Sequence, residues 1–122
     1  MTELTFFGGI NEIGGNKFLL KHKKTKIFLD FGKSFSREKL YFDFPLLQPF
    51  YIPDLKKIDA IPDIKGLYRD SSEKSPIDGV LLTHAHVDHC GYISSLNDNT
   101  NIYLGEGTKV LIEIRNETYR SR

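Results

Sequence analysis

The segment "LLTHAHVDHCG", residues 81–91, packs His84, His86, Asp88 and His89 into six positions. Strand-type apolar residues lead into it and a helix-type segment leads out, and that transition limits what the chain can fold into. At a strand end, side chains two positions apart face the same way. His84 and His86 can therefore both aim a ring nitrogen at one point beyond the carboxyl edge of a sheet. Asp88 and His89 then fall on the first turn of the following helix, where Asp88 either caps the helix or turns its carboxylate toward the same cavity. Three imidazoles crowded in this way have no good packing rationale, and they predict a metal site. One loop can serve two centres, with His84 and His86 as ligands of the first and Asp88 and His89 as ligands of the second. Imidazole and carboxylate donors suit zinc, with manganese or iron as substitutes.

The rest of the chain supplies the strands such a loop needs. The first thirty residues predict strands near 4–7, 17–21 and 27–30, separated by Gly-rich and Lys-rich turns. The second half predicts a buried-type strand over 78–84, a helix over 88–98 opened by Asp88, a strand over 101–104 and an amphipathic helix over 106–120. Strand, helix, strand, helix implies an α/β layer with parallel pairing. Between the halves, 33–76 is a long irregular insertion that contains all five prolines and leaves room for short helical turns at most, as around 55–58. Its aromatics Phe42, Phe44, Phe50, Tyr51 and Tyr68 read better as pins holding a long loop on the core than as a substrate groove.

With 122 residues, the chain forms one domain over 1–122 with a real core. Seventeen Lys and Arg against sixteen Asp and Glu leave a formal charge of +1, so no global field points to nucleic acid, membrane or acidic partners. A single cysteine excludes an internal disulfide, and there is no long apolar run; a reduced, cytoplasmic setting without membrane association is the expectation. Cys90 reads as a small buried thiol rather than a soft ligand, and His22 as a surface or satisfied core residue rather than a ligand. Arg115, Arg120 and Arg122 read as a solvated helix end that complements the helix dipole.

"THAHVDHCG" resembles the signature histidine loop of the metallo-β-lactamase superfamily, and "FFGGINEIGGNKFLL" followed by "KIFLDFG" resembles the amino-terminal strands of its ribonuclease J and β-CASP nuclease branch. The resemblance implies an α/β fold, α+β by some schemes: the first half of an αββα sandwich, with a mixed β-sheet and flanking helices. It implies His84 and His86 on a first zinc and Asp88 and His89 on a second, with Asp88 also catalytic by orienting a hydroxide between the two metals. Asp30, ending "FLD", would hold the histidine loop from outside the ligand shell. The reaction implied is hydrolysis of RNA phosphodiesters.

This sequence departs from that pattern downstream. The family completes its metal sites with a further histidine, a bridging aspartate and a last histidine, and no histidine follows His89 here. Asp98, Glu106, Glu113 and Glu117 fall at the wrong ends of their elements to substitute. The expectation is an amino-terminal part of a longer enzyme, a shortened relative, or a unit whose exposed sheet face is covered by a second copy or another chain. Two further readings stand beside the nuclease: a non-catalytic interaction module, and a metallo-hydrolase of a small thioester or phosphodiester. A nuclease would also need a basic, aromatic channel for its RNA, which the neutral charge balance does not supply.

Overall fold

The computed structural model describes residues 1–43, 47–49 and 51–120, with Tyr119 and Arg120 as backbone only. The expectations placed on Phe44, Phe50, Arg122 and the Arg120 side chain lie outside what is described. Five strands form one mixed sheet in sequence order: β1 (Thr2–Phe6), β2 (Phe18–His22), β3 (Thr25–Leu29), β4 (Gly79–Leu81) and β5 (Ile102–Tyr103). The first three run antiparallel as a meander, and β3, β4 and β5 are parallel.

The register explains which face is core. Leu19, Phe28, Val80 and Ile102 lie opposite one another across four strands, and Leu19, Phe28 and Val80 are buried. Phe31, Leu67, Tyr68, Leu82, Tyr92 and Leu96 pack around that row. The other face carries a second apolar row, Phe6, Phe18, Leu29, Leu81 and Tyr103, in which Phe6, Leu81 and Tyr103 are exposed. Side-chain alternation thus gives a sheet apolar on both faces with only one face covered.

Two short helices, α1 (Phe35–Tyr41) and α2 (Ile52–Lys57), lie within 33–76. Helix α1 carries no apolar periodicity, because its one buried side chain is Glu38, which accepts from the Tyr92 hydroxyl and pairs with Lys33 Nζ at 3.4 Å. Its start is marked by Ser34, whose hydroxyl accepts from Arg37 N. Helix α2 buries Ile52 and Leu55 and has proline in its first turn. Of the aromatics, Tyr68 is buried and donates to Pro62 O at 2.5 Å, Phe42 packs partly on the core, and Tyr51 is exposed.

The helix expected over 88–98 is broken. The chain forms a single turn, α3 (Val87–Cys90), then a 3-10 turn at Ile93–Ser95. Sideways backbone bonds account for the break. Lys33 N donates to Val87 O at 3.0 Å, Asn16 Nδ2 to Asp88 O at 3.0 Å, and Phe31 N to His89 O at 2.8 Å. Val87 O still accepts the helical bond from Gly91 N at 2.8 Å, but Tyr92 N turns to Phe31 O at 3.1 Å, and the carbonyls of Asp88 and His89 are taken by Asn16 and Phe31, which ends the ladder after one turn. The N-cap position is His86, not Asp88, and it makes no side-chain cap bond. The last helix, α4 (Glu106–Arg120), turns Thr108, Ile112 and Arg115 inward, while Val110, Leu111 and Ile114 stay exposed.

Candidate metal centre

Strand β3 is followed directly by Asp30, which takes the left-handed conformation at φ 61°, tolerated by aspartate better than by most residues. The reversal buries its carboxylate, at 4% exposure, beneath the loop after β4. Thr83 N donates to Asp30 Oδ1 at 2.8 Å, Thr83 Oγ1 to Oδ2 at 2.9 Å, and His89 Nδ1 approaches Oδ2 at 2.7 Å.

Those contacts fix proton positions. An ionised carboxylate only accepts, so Nδ1 of His89 carries a proton, and in the neutral imidazole Nε2 presents its lone pair. The Thr83 hydroxyl gives its single proton to Asp30. It must then accept from His84 Nδ1, 2.8 Å away, which leaves His84 Nε2 as a free lone pair too. One buried carboxylate thereby orients two imidazoles, one directly and one through a threonine.

The two rings lie 4.2 Å apart between centroids, and Asp88 Oδ2 is 3.4 Å from His89 Nε2. Donor atoms of His84, Asp88 and His89 all fall within 4.8 Å of one another, each side chain half-buried. The His86 ring stands edge-on to His84 at 4.6 Å but is exposed and outside this trio. The structure therefore groups His84 with Asp88 and His89, and leaves the His86 ring beside them, outside the group. Two imidazoles with set tautomers and one carboxylate fit a divalent cation of the zinc, manganese or iron type. Among the described residues this is the only group of three or more such side chains close enough to share an ion. Asp98, Glu106, Glu113 and Glu117 are all exposed and take no part in it.

Residues without an obvious sequence signal hold the loop from behind. Gly32 lies so close to α3 that a Cβ there would sit 1.8 Å from Asp88 O. Lys17, fully buried, donates to Gly15 O at 2.8 Å and Gly32 O at 3.1 Å and lies over the Tyr92 ring. Burial pushes its amine down to about 8 against a partial counter-pull from Glu12. Burial and the Glu38 contact raise the Tyr92 hydroxyl well above the ordinary range. Arg115 is not a solvated helix end: half-buried, it donates to Ala85 O at 2.6 Å and to Cys90 Sγ at 3.3 Å. Cys90 is a buried thiol, and His22 lies at the surface with Nδ1 2.7 Å from Thr2 Oγ1.

Residues 50–119 match the family model described as "Beta-lactamase superfamily domain". The chain belongs to the metallo-β-lactamase superfamily. Its relatives place it on the ribonuclease J-like branch. It is 36% identical over 89 residues to ribonuclease J of Helicobacter pylori, covering 73% of this chain and 10% of that protein. It is 28% identical over 93 residues to the transcription termination factor FttA of Methanocaldococcus jannaschii, covering 76% and 11%. The chain thus spans about a tenth of the length of these curated relatives. A crystal structure of a protein of unknown function from Enterococcus faecalis V583 superposes with a TM-score of 0.77 at 28% identity, covering 96% of this chain and 28% of that one. The mixed sheet with flanking helices is the half-fold expected of a superfamily member. No helix among the described residues is long and apolar enough to cross a membrane.

Proposed function

We propose that this chain carries the first metal-ligand loop of a zinc-dependent hydrolase that cleaves RNA phosphodiester bonds in the cytoplasm. The observation that supports this reading above all is the Asp30–Thr83–His84 and Asp30–His89 network, which readies two ring nitrogens beside the Asp88 carboxylate. Buried outer carboxylates of this kind orient ligands in metal sites. A bound divalent cation would supply Lewis-acid activation of water and charge stabilisation at phosphorus. Within this reading His84, Asp88 and His89 hold a first ion, and His86 contributes to a second. Asp88 also orients the attacking water.

His86 alone cannot hold a second ion, since a catalytic zinc takes about three protein ligands. The missing donors, and the basic surface for RNA, come from a second copy or another polypeptide segment seated on the Phe6, Leu81 and Tyr103 face. That bare apolar face equally favours a second reading, a non-catalytic module whose role is association.

Metal content, zinc affinity and mass in solution, measured for the wild type and a His84→Ala/His86→Ala double variant, separate the two. Tightly held zinc lost in the variant, with cleavage of single-stranded RNA by an associated form, supports the enzyme. Zinc-dependent turnover of a small thioester or phosphodiester without RNA cleavage shifts the substrate class. Weak metal unchanged by the variant, in a protein that still associates, supports the module and overturns the enzyme.

A further inference from the structure

Arg115 lies thirty residues after Ala85, on the inward face of α4 with Thr108 and Ile112. Its guanidinium reaches back to that loop and grips it at two points. Nη1 donates to the carbonyl of Ala85, the residue between His84 and His86, at 2.6 Å. Nη2 donates to the sulfur of Cys90, the neighbour of His89, at 3.3 Å, and the Cys90 thiol itself donates to Ala85 O at 3.3 Å. Ala85 O, Cys90 Sγ and the guanidinium therefore close a small ring of contacts across the loop.

We infer that Arg115 is a positioning residue for the metal centre, the clamp that fixes the spacing of its two ligand arms, His84–His86 and Asp88–His89. This rests on the metal-site reading given above. Asp30 holds one flank through the Thr83 backbone N–H and the His89 ring. The Ala85 carbonyl accepts from Arg115 and from the Cys90 thiol that Arg115 also engages, so the backbone between His84 and His86 is held from the α4 side. A planar fork with donors in fixed directions suits this two-point grip, and a lysine ammonium, a single point charge, does not reproduce it. Lengthening either contact lets the His84–His86 arm drift relative to Asp88 and His89, and ligand geometry of this kind tolerates only small displacements.

The test uses Arg115→Met and Arg115→Lys, with Glu113→Gln on the exposed side of the same helix as control. Two readouts are taken: the affinity and visible absorption spectrum of bound cobalt(II), and backbone hydrogen exchange of residues 84–90 and 106–118 in metal-free protein. The expected result for Arg115→Met is faster exchange confined to 84–90, and cobalt affinity about ten- to hundred-fold weaker with an altered spectrum, as for other residues that orient ligands. Arg115→Lys recovers only part of the loss, and Glu113→Gln behaves as wild type. A loop whose exchange and cobalt affinity stay within twofold of wild type in both Arg115 variants overturns the inference. If Arg115→Met loses the fold, Arg115→Lys decides by the same two readouts. If the wild type binds no cobalt, the metal reading fails on its own, and loop exchange in the variants still decides whether Arg115 is the clamp.

Discussion

Replacing Asp30 by Asn is the sharpest probe of the centre, because the change keeps shape and backbone and alters only who donates and who accepts. Asn tolerates the left-handed φ of 61°, so no strain is added. The amide oxygen can keep the bond from Thr83 N, but the NH2 group now faces Thr83 Oγ1 and His89 Nδ1, at 2.9 and 2.7 Å from the position of Oδ2. Both partners must turn into acceptors. His89 then carries its remaining proton on Nε2, and where the Thr83 proton passes to His84 Nδ1 rather than to the amide oxygen, 3.2 Å away at the place of Oδ1, the His84 proton sits on Nε2 as well.

Three bonds to a charged acceptor, at about 2 kcal/mol each, become bonds between neutral groups at about 1 kcal/mol each, so the metal-free protein should lose about 3 kcal/mol. Zinc affinity should fall about a hundredfold or more where two ligands are mis-protonated rather than one. Urea unfolding with a chelator present gives the first number, zinc titration the second, and long-range proton–nitrogen correlation spectra at pH 8 report each tautomer. Unchanged Nδ1–H tautomers in Asp30→Asn, with a stability loss below about 0.5 kcal/mol, would refute the relay.

Lys17 should shape the alkaline stability of the fold. Its folded value, about 8, lies below the unfolded one of 10.5, so between these the unfolded chain holds more protons and stability rises with pH. The rise amounts to about 3 kcal/mol across the window, and denaturant unfolding from pH 7 to 10 should show it in the wild type and a flat profile in Lys17→Met. Above about pH 10 the trend reverses, because the Tyr68 and Tyr92 hydroxyls, raised in the fold, ionise first in the unfolded chain. Gly32→Ala should cost more than about 4 kcal/mol or abolish folding by driving a methyl into Asp88 O, whereas Gly105→Ala, with open space around it, should leave thermal unfolding almost unchanged. Replacing Phe6, Leu81 and Tyr103 together by Thr should reduce binding of a hydrophobic dye and self-association while shifting stability by about 1 kcal/mol or less, as light scattering and denaturation would show.

The sheet was legible where its signals were local. Alternating apolar residues and turn glycines placed the first three strands to within a residue or two, and the strand before His84 emerged from an unbroken apolar run. The His84 to His89 cluster was legible because no packing need explains it, and the structure brings three of its four members together. Helix α1 was hidden because it buries a carboxylate where a periodic pattern expects an apolar side chain. The end of α3 was hidden for a different reason: it is set by backbone groups of Asn16, Phe31 and Lys33, at least fifty positions away, and backbone bonding leaves no mark on residue type. Arg115 was misread because an arginine near a helix end looks the same in sequence whether it faces water or a buried carbonyl.

The sideways bonding of α3 also bears on how portable this motif is. Six consecutive positions hold every candidate ligand, which invites transplanting them as a cassette into another strand-to-helix junction. Yet the carbonyls of Val87, Asp88 and His89 are held by a glycine-rich turn and a strand exit encoded more than fifty residues earlier, and the protons on two of its rings are dictated from Asp30. A grafted cassette would wind into an ordinary helix and swing His89 away from His84. What recombination or design must move intact is residues 14–34, residues 80–91 and the stretch of α4 that carries Arg115, three distant pieces that hold one loop.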